Sequence, residues 1–470
     1  MKAIEDYVGS LGLDAYLVGG AVRDELLGLD SKDADFLVVG MDTEALRAAL
    51  APHGRVDDLV VAGRPVGLRL FPHASAIRAL VPAGIEFAPP RRERSTGPGR
   101  HDFEIVVDPE ASVEDDLARR DFTVNAIAVR LADRAVVDPF GGRADLEDGV
   151  LRTVSSRSFA EDPLRLVRGL RLVSQLDLEP DEETLREMHE EATSVQLVSA
   201  ERIGGGLGAD GMGELSKLLL GRGPRKALAL ARDTGVLTAL LPEFEPAIGF
   251  DQESRYHHLT LDVHTFAVVQ AAADGTTPLR VRLAALFHDL GKPHVGWRGR
   301  DGRLHFYARP GHRDHAEVGA ELADGALRRL RYPNDLRERV VRIVRFHMFS
   351  IGKADTLHAR RLLARFGEGL TIDLLDHKEA DLLGKGEDGP RDAVEVERLR
   401  AFRQVVEDER ASPHRIADLA VDGTDLIELG YLPGPELGRT LETLLEAVVD
   451  DPALNRRPAL LARAKELLPR

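Results

Sequence analysis

Between Tyr16 and Gly40 the chain reads YLVGGAVRDELLGLDSKDADFLVVG, and this stretch restricts the fold more than any other. The apolar run Tyr16-Leu17-Val18, closed by Gly19-Gly20, reads as a short buried strand. Ala21, Val22, Leu26 and Leu27 follow at the spacing of one helical face. After a polar turn, Asp33 to Val39 predicts a second strand. Side chains two apart on a strand share a face, so Asp33 and Asp35 present paired carboxylates at one sheet edge. Hard divalent cations such as magnesium take carboxylate oxygens together with waters and substrate phosphates. Two such ions can clamp the attacking and leaving oxygens of a phosphoryl transfer. The Gly-Gly turn offers backbone N–H groups to phosphate at a helix start, and Arg23 adds a cationic fork. Taken singly, a Gly-Gly turn is often only a tight turn and an Asp-x-Asp pair only a solvated strand end. The succession of strand, Gly-Gly, Arg-Asp, helix and Asp-x-Asp strand is far more specific.

That succession resembles the nucleotidyltransferase signature of the class II CCA-adding enzyme and bacterial poly(A) polymerase family. The resemblance implies a β-polymerase-like head in which Asp33 and Asp35 hold two magnesium ions. Glu86 begins a strand that can lie beside the Asp-x-Asp strand and supply a third carboxylate; an exposed strand Glu is the plain alternative. Arg92, Glu93 and Arg94 precede a Gly- and Pro-rich loop, Ser95–Arg100, which matches a mobile loop of the family. EDDLARRDFTVNA (Glu114–Ala126) matches its second motif: Arg119, Arg120 and Asp121 offer forks to phosphate and an acceptor to ribose, and Asn125 fixes the geometry. Asp138-Pro139-Phe140-Gly141-Gly142 resembles the third motif, with turn chemistry suited to a hinge between head and neck. In FAEDPLRLVR (Phe159–Arg168), helical spacing sets Glu161, Arg165 and Arg168 on one face with Asp162 adjoining. Such acceptors and forked donors can read a base edge, although surface ion pairs of this spacing are common. The resemblance makes Glu161, Asp162 and Arg165 the amino-acid template that selects CTP and ATP. Arg171-Leu172 departs from the Arg-Phe usual in the family. SAERI (Ser199–Ile203) and VLTALLPEF (Val236–Phe244) match neck and body helices that bind the acceptor end of RNA. The Gly-rich run Gly204–Gly213 between them departs from the pattern and reads as a flexible connection.

A second constellation begins where the histidine content rises. His264 lies in an apolar helix, His288-Asp289 ends another, and His315, His347 and Asp381 follow. Adjacent His and Asp at a helix end can both reach one metal, and this ligand set suits iron, manganese, zinc, nickel or magnesium. A single His in an apolar helix is more often a satisfied core residue; six ligands in this order, ending in HKEADLLG, resemble the HD phosphohydrolase superfamily. The resemblance implies a divalent transition metal or Mg2+ and a metal-activated water attacking phosphorus, with phosphatase, 2′-nucleotidase or 2′,3′-cyclic phosphodiesterase activity. His257, His258, His312 and Lys292 are candidate phosphate contacts.

With 470 residues the chain has room for about three domains. The expected class is α+β: a head over 1–150, a helical neck and body over 151–250, an HD domain over 251–400 and a helical tail over 401–470. The pattern turns helical from Val154 onward. No Cys is present, which excludes disulfides and Cys–zinc sites. With no apolar signal core and no apolar run of membrane-spanning length, the expected location is the cytoplasm. The formal charge of −16 counts against a nucleic-acid partner, but arginines cluster locally, as at Arg119-Arg120 and Arg165-Arg168-Arg171. The expected reaction is CCA addition to the tRNA acceptor end from CTP and ATP. The alternatives are an A-adding, CC-adding or poly(A) polymerase relative, or an RNA-end phosphohydrolase whose head only binds RNA.

Overall fold

The computed structural model describes residues 1–29, 34–61, 64–95, 103–205, 212–253, 259–300, 302–385 and 390–468. The chain forms two compact units: Met1–Glu245 with Arg329–Tyr332, and Pro246–Arg328 with Pro333–Arg470.

After an N-terminal helix over Lys2–Gly9, the first unit runs through strand β1 (Ala15–Val18), helix α1 (Gly20–Leu26), and strands β2 (Asp35–Val38), β3 (Gly54–Val61), β4 (Arg64–Pro72) and β5 (Ile85–Ala88). A separate hairpin follows, β6 (Arg91–Ser95) with β7 (Phe103–Val107). After helix α2 (Val113–Ala118) come β8 (Ala128–Arg130) and β9 (Val136–Val137). The main sheet has the order β3-β4-β5-β2-β1-β8-β9. Its neighbours are antiparallel except β2 and β5, which run parallel with Asp35 opposite Glu86.

Alternation along the strands decides what lies on each face. Leu17, Phe36 and Val38 pack with Ile4, Val8, Leu46 and Leu50 on one side. Val18 and Leu37 pack on the other with Val113 and Leu117 of α2. Asp35 shares the face of Leu37, so its carboxylate belongs to the α2 side. The one-face pattern expected of α1 holds for its first turn only: Ala21 and Val22 are buried, but Leu26 and Leu27 are exposed. A helix of seven residues has one turn to bury, and no residue of its last turn is buried.

Past the head, helix α3 (Leu164–Leu176) buries Leu164, Leu166, Val167, Leu170, Leu172 and Val173, as its pattern requires. Glu161, Arg165 and Arg168 do not share one continuous helix, however. A short helix ends at Glu161, Asp162 is extended at φ −139° and ψ 98°, and Pro163 caps α3. The proline ring disfavours helical backbone at the residue before it, so the break falls at Asp162. Gly204 and Gly205 are not simply a flexible connection. A Cβ on Gly204 would lie 2.5 Å from the Leu330 carbonyl oxygen, and one on Gly205 would lie 2.0 Å from that of Arg331. Gly205 N–H donates to Leu330 O at 3.2 Å. Here glycine permits backbone to approach backbone; residues 206–211 lie outside the described residues.

Extended pairs recur after Val154, contrary to an all-helical reading. Strand β11 (Glu179–Pro180) pairs in parallel with β10 (Val150–Leu151), which precedes that stretch, and β12 (Trp297–Arg298) forms a hairpin with β13 (Leu304–His305). Aromatic residues crowd the second hairpin and favour strands, and Gly302 at φ 74° serves its turn.

In the second unit, helices α4 (Leu261–Asp274), α5 (Leu279–Phe287), α6 (His315–Arg329), α7 (Asn334–Phe346) and α8 (Glu368–Leu383) carry the histidine constellation. Further helices span Pro390–Glu409, Gly423–Glu428, Pro435–Asp450 and Arg457–Glu466. The last three pack through Leu426, Leu444, Val448 and Leu460. Among the described residues no helix is long and apolar enough to cross a membrane.

Candidate active sites

In the first unit, Asp35, Glu86, Arg91, Asp116, Arg119 and Arg120 line a cleft of about 160 Å³ floored by the apolar β1, β2 and β5. Asp33 lies outside the described residues. Glu86, brought beside Asp35 by strand register, is engaged by Arg69 from β4. Asp116, which no motif reading singled out, is fully buried and organises the cationic side of the cleft. Its Oδ1 accepts from Arg119 Nε at 2.9 Å, and its Oδ2 from Arg120 Nη2 at 3.1 Å. The i, i+3 and i, i+4 spacing from Asp116 was the available sequence signal. Burial pushes the Asp116 carboxyl up, but the two guanidiniums outweigh it and hold the group below its ordinary range.

Gly19, at φ 72°, caps α1, and a Cβ there would sit 2.8 Å from Arg120 Nη1. The Gly19-Gly20 turn therefore makes room for an arginine. Arg23 Nη1 donates to Asn125 Oδ1 at 2.6 Å, and Asn125 Nδ2 donates to Asp121 Oδ1 at 3.0 Å. Arg168 Nη2 closes this chain at 3.1 Å from Asp121 Oδ2. Burial raises the Asp121 carboxyl, but Arg168 and Asn125 bring it below the usual value. Asp121 is thus an interior anchor rather than an open acceptor. Asp138 caps the turn after it, accepting from Gly142 N at 2.7 Å.

The Glu161-Asp162-Arg165 group is engaged with protein. Arg165 is buried and donates to Arg119 O at 2.7 Å and Ser158 Oγ at 3.0 Å, with Glu161 Oε2 at 3.6 Å. Asp162 pairs with Arg202 at 3.2 Å. Backbone pairing carries Arg92, Glu93 and Arg94 on β6, while Thr96–Arg100 lies outside the described residues.

In the second unit four histidines follow one rule. The Nδ1 of His264 meets Gly384 O at 3.2 Å, and that of His288 meets Ala285 O at 2.8 Å. The Nδ1 of His315 meets Phe306 O at 3.1 Å, and that of His347 meets Val344 O at 2.6 Å. A carbonyl only accepts, so each Nδ1 carries the proton and each Nε2 is left to face inward. His288 and His347 cap α5 and α7, where the last helical carbonyls lack partners. The inward atoms converge on two carboxylates. His264 Nε2 lies 3.4 Å from Asp381 Oδ1, His288 Nε2 lies 3.1 Å from Asp289 Oδ2, and His315 Nε2 lies 3.4 Å from Asp289 Oδ1.

His315 Nε2 and His347 Nε2 are 3.3 Å apart. Burial takes His315 from its ordinary 6.5 down to about 4, so near neutrality its Nε2 presents a lone pair. Lone pairs converging on carboxylates suit a cation, and carbonyl-oriented imidazoles are the usual supports of metal ligands. The donor atoms fall into two groups, His264-His288-Asp381 and Asp289-His315-His347. The residues therefore fit a divalent metal centre.

A cavity of about 450 Å³ opens on this centre. Lys292 lines it, donating to Gln252 Oε1 at 2.7 Å with Asp289 Oδ2 at 2.6 Å. His312 is exposed, contacts Arg309 at 2.9 Å and does not line the cavity; His257 and His258 lie outside the described residues. His377 stands at the head of HKEADLLG but is not among the six predicted ligands. It is fully buried, with its ring 5.1 Å from that of His288 and no hydrogen-bond partner among the described residues on either nitrogen. Its place four residues before Asp381 on one helix was the available signal.

Residues 15–152 match the Poly A polymerase head domain, 177–248 the Probable RNA and SrmB- binding site of polymerase A, and 256–384 the HD domain. The Multifunctional CCA protein of Methylococcus capsulatus is 34% identical over 465 residues, covering 95% of this chain and 97% of the relative. That of Ralstonia nicotianae is 36% identical over 361 residues, covering 75% and 76%. The fold is shared with the Bacillus stearothermophilus CCA-adding enzyme in complex with CTP, at TM-score 0.65 and 23% identity over 99% of this chain and 95% of that one. It is also shared with the Thermotoga maritima CCA-adding enzyme complexed with tRNA, at TM-score 0.54 and 20% identity over 97% and 92%. Sequence identity sustained along nearly the whole chain, together with the matched head and HD domains, shows that this chain belongs to the multifunctional CCA protein family.

Proposed function

We infer that this chain adds CCA to the 3′ end of tRNA from CTP and ATP, and that its HD domain is a phosphohydrolase. The observation that carries the first reading is the register placing Glu86 beside Asp35, opposite Arg119 and Arg120, in a chain related end to end to multifunctional CCA proteins. Asp33 and Asp35 would hold magnesium, with Glu86 as a third carboxylate. The metal, when bound, supplies activation of the RNA 3′-hydroxyl and charge neutralisation at the triphosphate. Arg119, Arg120 and Arg23 offer guanidinium forks to phosphate. Glu161, Asp162 and Arg165 would select the base, which requires Asp162 and Arg165 to exchange their present partners for base contacts. The acceptor end of tRNA would meet the helical part of this unit; the fold shared with a CCA-adding enzyme complexed with tRNA supports this.

At the second site His264, His288, Asp289, His315, His347 and Asp381 would hold a divalent transition metal or Mg2+. The metal would supply an activated water. That water would bond to phosphorus, the phosphorus–ribose oxygen bond would break, and the ribose oxygen would take up a proton. Lys292 pairs with Asp289 Oδ2 and lines the same cavity, within reach of phosphate.

The test is extension of a tRNA transcript lacking its CCA end, with magnesium and CTP, ATP or both. Complete CCA addition only when both are present is expected. Addition that stops after one nucleotide type identifies a specialist, a long adenylate tail identifies a poly(A) polymerase, and no extension in any condition refutes the transferase reading.

A further inference from the structure

The wall of the second cavity is aromatic on one side. Leu304, His305, Phe306 and Tyr307 line it together with His288, Asp289, His315 and His347. The segment is tied to the metal centre twice: Phe306 O accepts from His315 Nδ1, and Lys292 Nζ, beside Asp289, lies 5.5 Å from the Phe306 ring centroid. Tyr307 is the next residue and its side chain is 54% exposed. Trp297 packs edge-on to it at 5.3 Å and donates from Nε1 to Tyr307 O at 3.3 Å. Trp297 itself is covered, by Arg309 at 4.0 Å and His305 at 4.9 Å, whereas Tyr307, with His305 5.2 Å from its ring, keeps about half its surface open. Tyr307 is therefore the ring this buttress presents to a ligand. Lys378 and Lys385 line the same cavity, so cations for a phosphate and an aromatic face for a base stand around one metal centre, on a protein of formal charge −16.

We propose that Tyr307 stacks on the nucleobase of the HD-site substrate, so that this site selects ribonucleoside phosphates over base-free phosphate esters. The proposal rests on the phosphohydrolase reading of that site. A stacked base contributes enough for truncation to cost about tenfold in affinity. Trp297, the only tryptophan of the chain, reports on this cavity through its contact with Tyr307.

The experiment titrates the full-length protein with 2′-AMP and with glycerol 2-phosphate while following Trp297 fluorescence. It then compares kcat/KM for the two esters in the presence of Mn2+, Ni2+, Co2+ or Mg2+. The expected result is a saturable fluorescence change with 2′-AMP only, weakened about tenfold in Tyr307→Ala and restored to within about threefold in Tyr307→Phe. The preference of kcat/KM for 2′-AMP over glycerol 2-phosphate should fall about tenfold in Tyr307→Ala. Equal losses on both esters, or undiminished 2′-AMP binding in Tyr307→Ala, overturn the proposal. Tyr307-dependent binding without hydrolysis of either ester by any metal form refutes the phosphohydrolase reading and leaves the base contact standing. A lower KM for a short RNA ending in a 2′,3′-cyclic phosphate than for the free mononucleotide, lost in Tyr307→Ala, identifies the RNA end as the source of the base.

Discussion

At the scale of single residues, charge pairing decides what each carboxylate can do. Asp116 is buried between two arginines, and removing one partner of such a group leaves the others desolvated and uncompensated. Asp116→Ala should destabilise the protein by about 3 kcal/mol and raise the KM for CTP, read by urea unfolding and initial-rate incorporation. Asp35 is proposed to hold metal instead. Asp35→Asn should lower CMP incorporation by at least about a thousandfold, as loss of an electrostatic stabiliser of phosphoryl transfer does, with little change in the unfolding midpoint. His315 gives a pH signature in metal-free protein. Its folded value is about 4 against an ordinary 6.5, so the unfolded chain binds a proton that the folded chain does not. Its contribution is constant above pH 6.5 and is lost as the pH falls toward 4, by up to about 3 kcal/mol. Urea midpoints of the chelated protein across that window should fall with acid, and His315→Gln should flatten the slope.

At the scale of elements, backbone constraints set the geometry of both sites. Pro163 breaks the helix at Asp162, which lets Asp162 face Arg202 while Arg165 turns to the Arg119 carbonyl. Pro163→Ala removes that constraint, and should extend α3 backward and alter the CTP-to-ATP preference, measured by competition on a tRNA ending in CC. Gly204 has a different constraint, the backbone packed against it. Gly204→Ala forces a Cβ to within 2.5 Å of the Leu330 oxygen, an overpacking that should cost about 1–3 kcal/mol in chemical denaturation. In the second unit, ends of α5 and α7 orient His288 and His347 through their own last-turn carbonyls, so helix termination and ligand orientation are one event.

At the scale of the whole molecule, the two candidate sites belong to separate compact units, each with its own interior. Lesions should therefore separate. His264→Ala should abolish phosphate-ester hydrolysis while CCA addition stays within about twofold, and Asp35→Asn should do the reverse; both are read on one preparation of the full chain. The negative formal charge of the whole chain argues against a nucleic-acid partner only as an average. Arg91, Arg119 and Arg120 gather in one cleft, and it is the local field that a triphosphate meets.

The amino-acid sequence alone determined the α+β class, the alternation of β1 and β2, the buried face of α3 and the order of six metal-type side chains. These depend on periods of two and 3.6 and on spacing along one element, which are local quantities. It also placed Asp35 and Glu86 on strands able to adjoin, whereas their register is a pairing across 50 intervening positions that only the sheet supplies. The burial of Asp116 and His377 was decided by tertiary structure, because burial is a property of the surroundings. The same holds for Tyr307. Nothing in HFYARP distinguishes an exposed ring beside the candidate metal centre from a core aromatic until the hairpin turns it there. The Gly204–Gly205 run read as flexible for the converse reason: composition reports what a backbone can do, and only packing shows what it has been required to do.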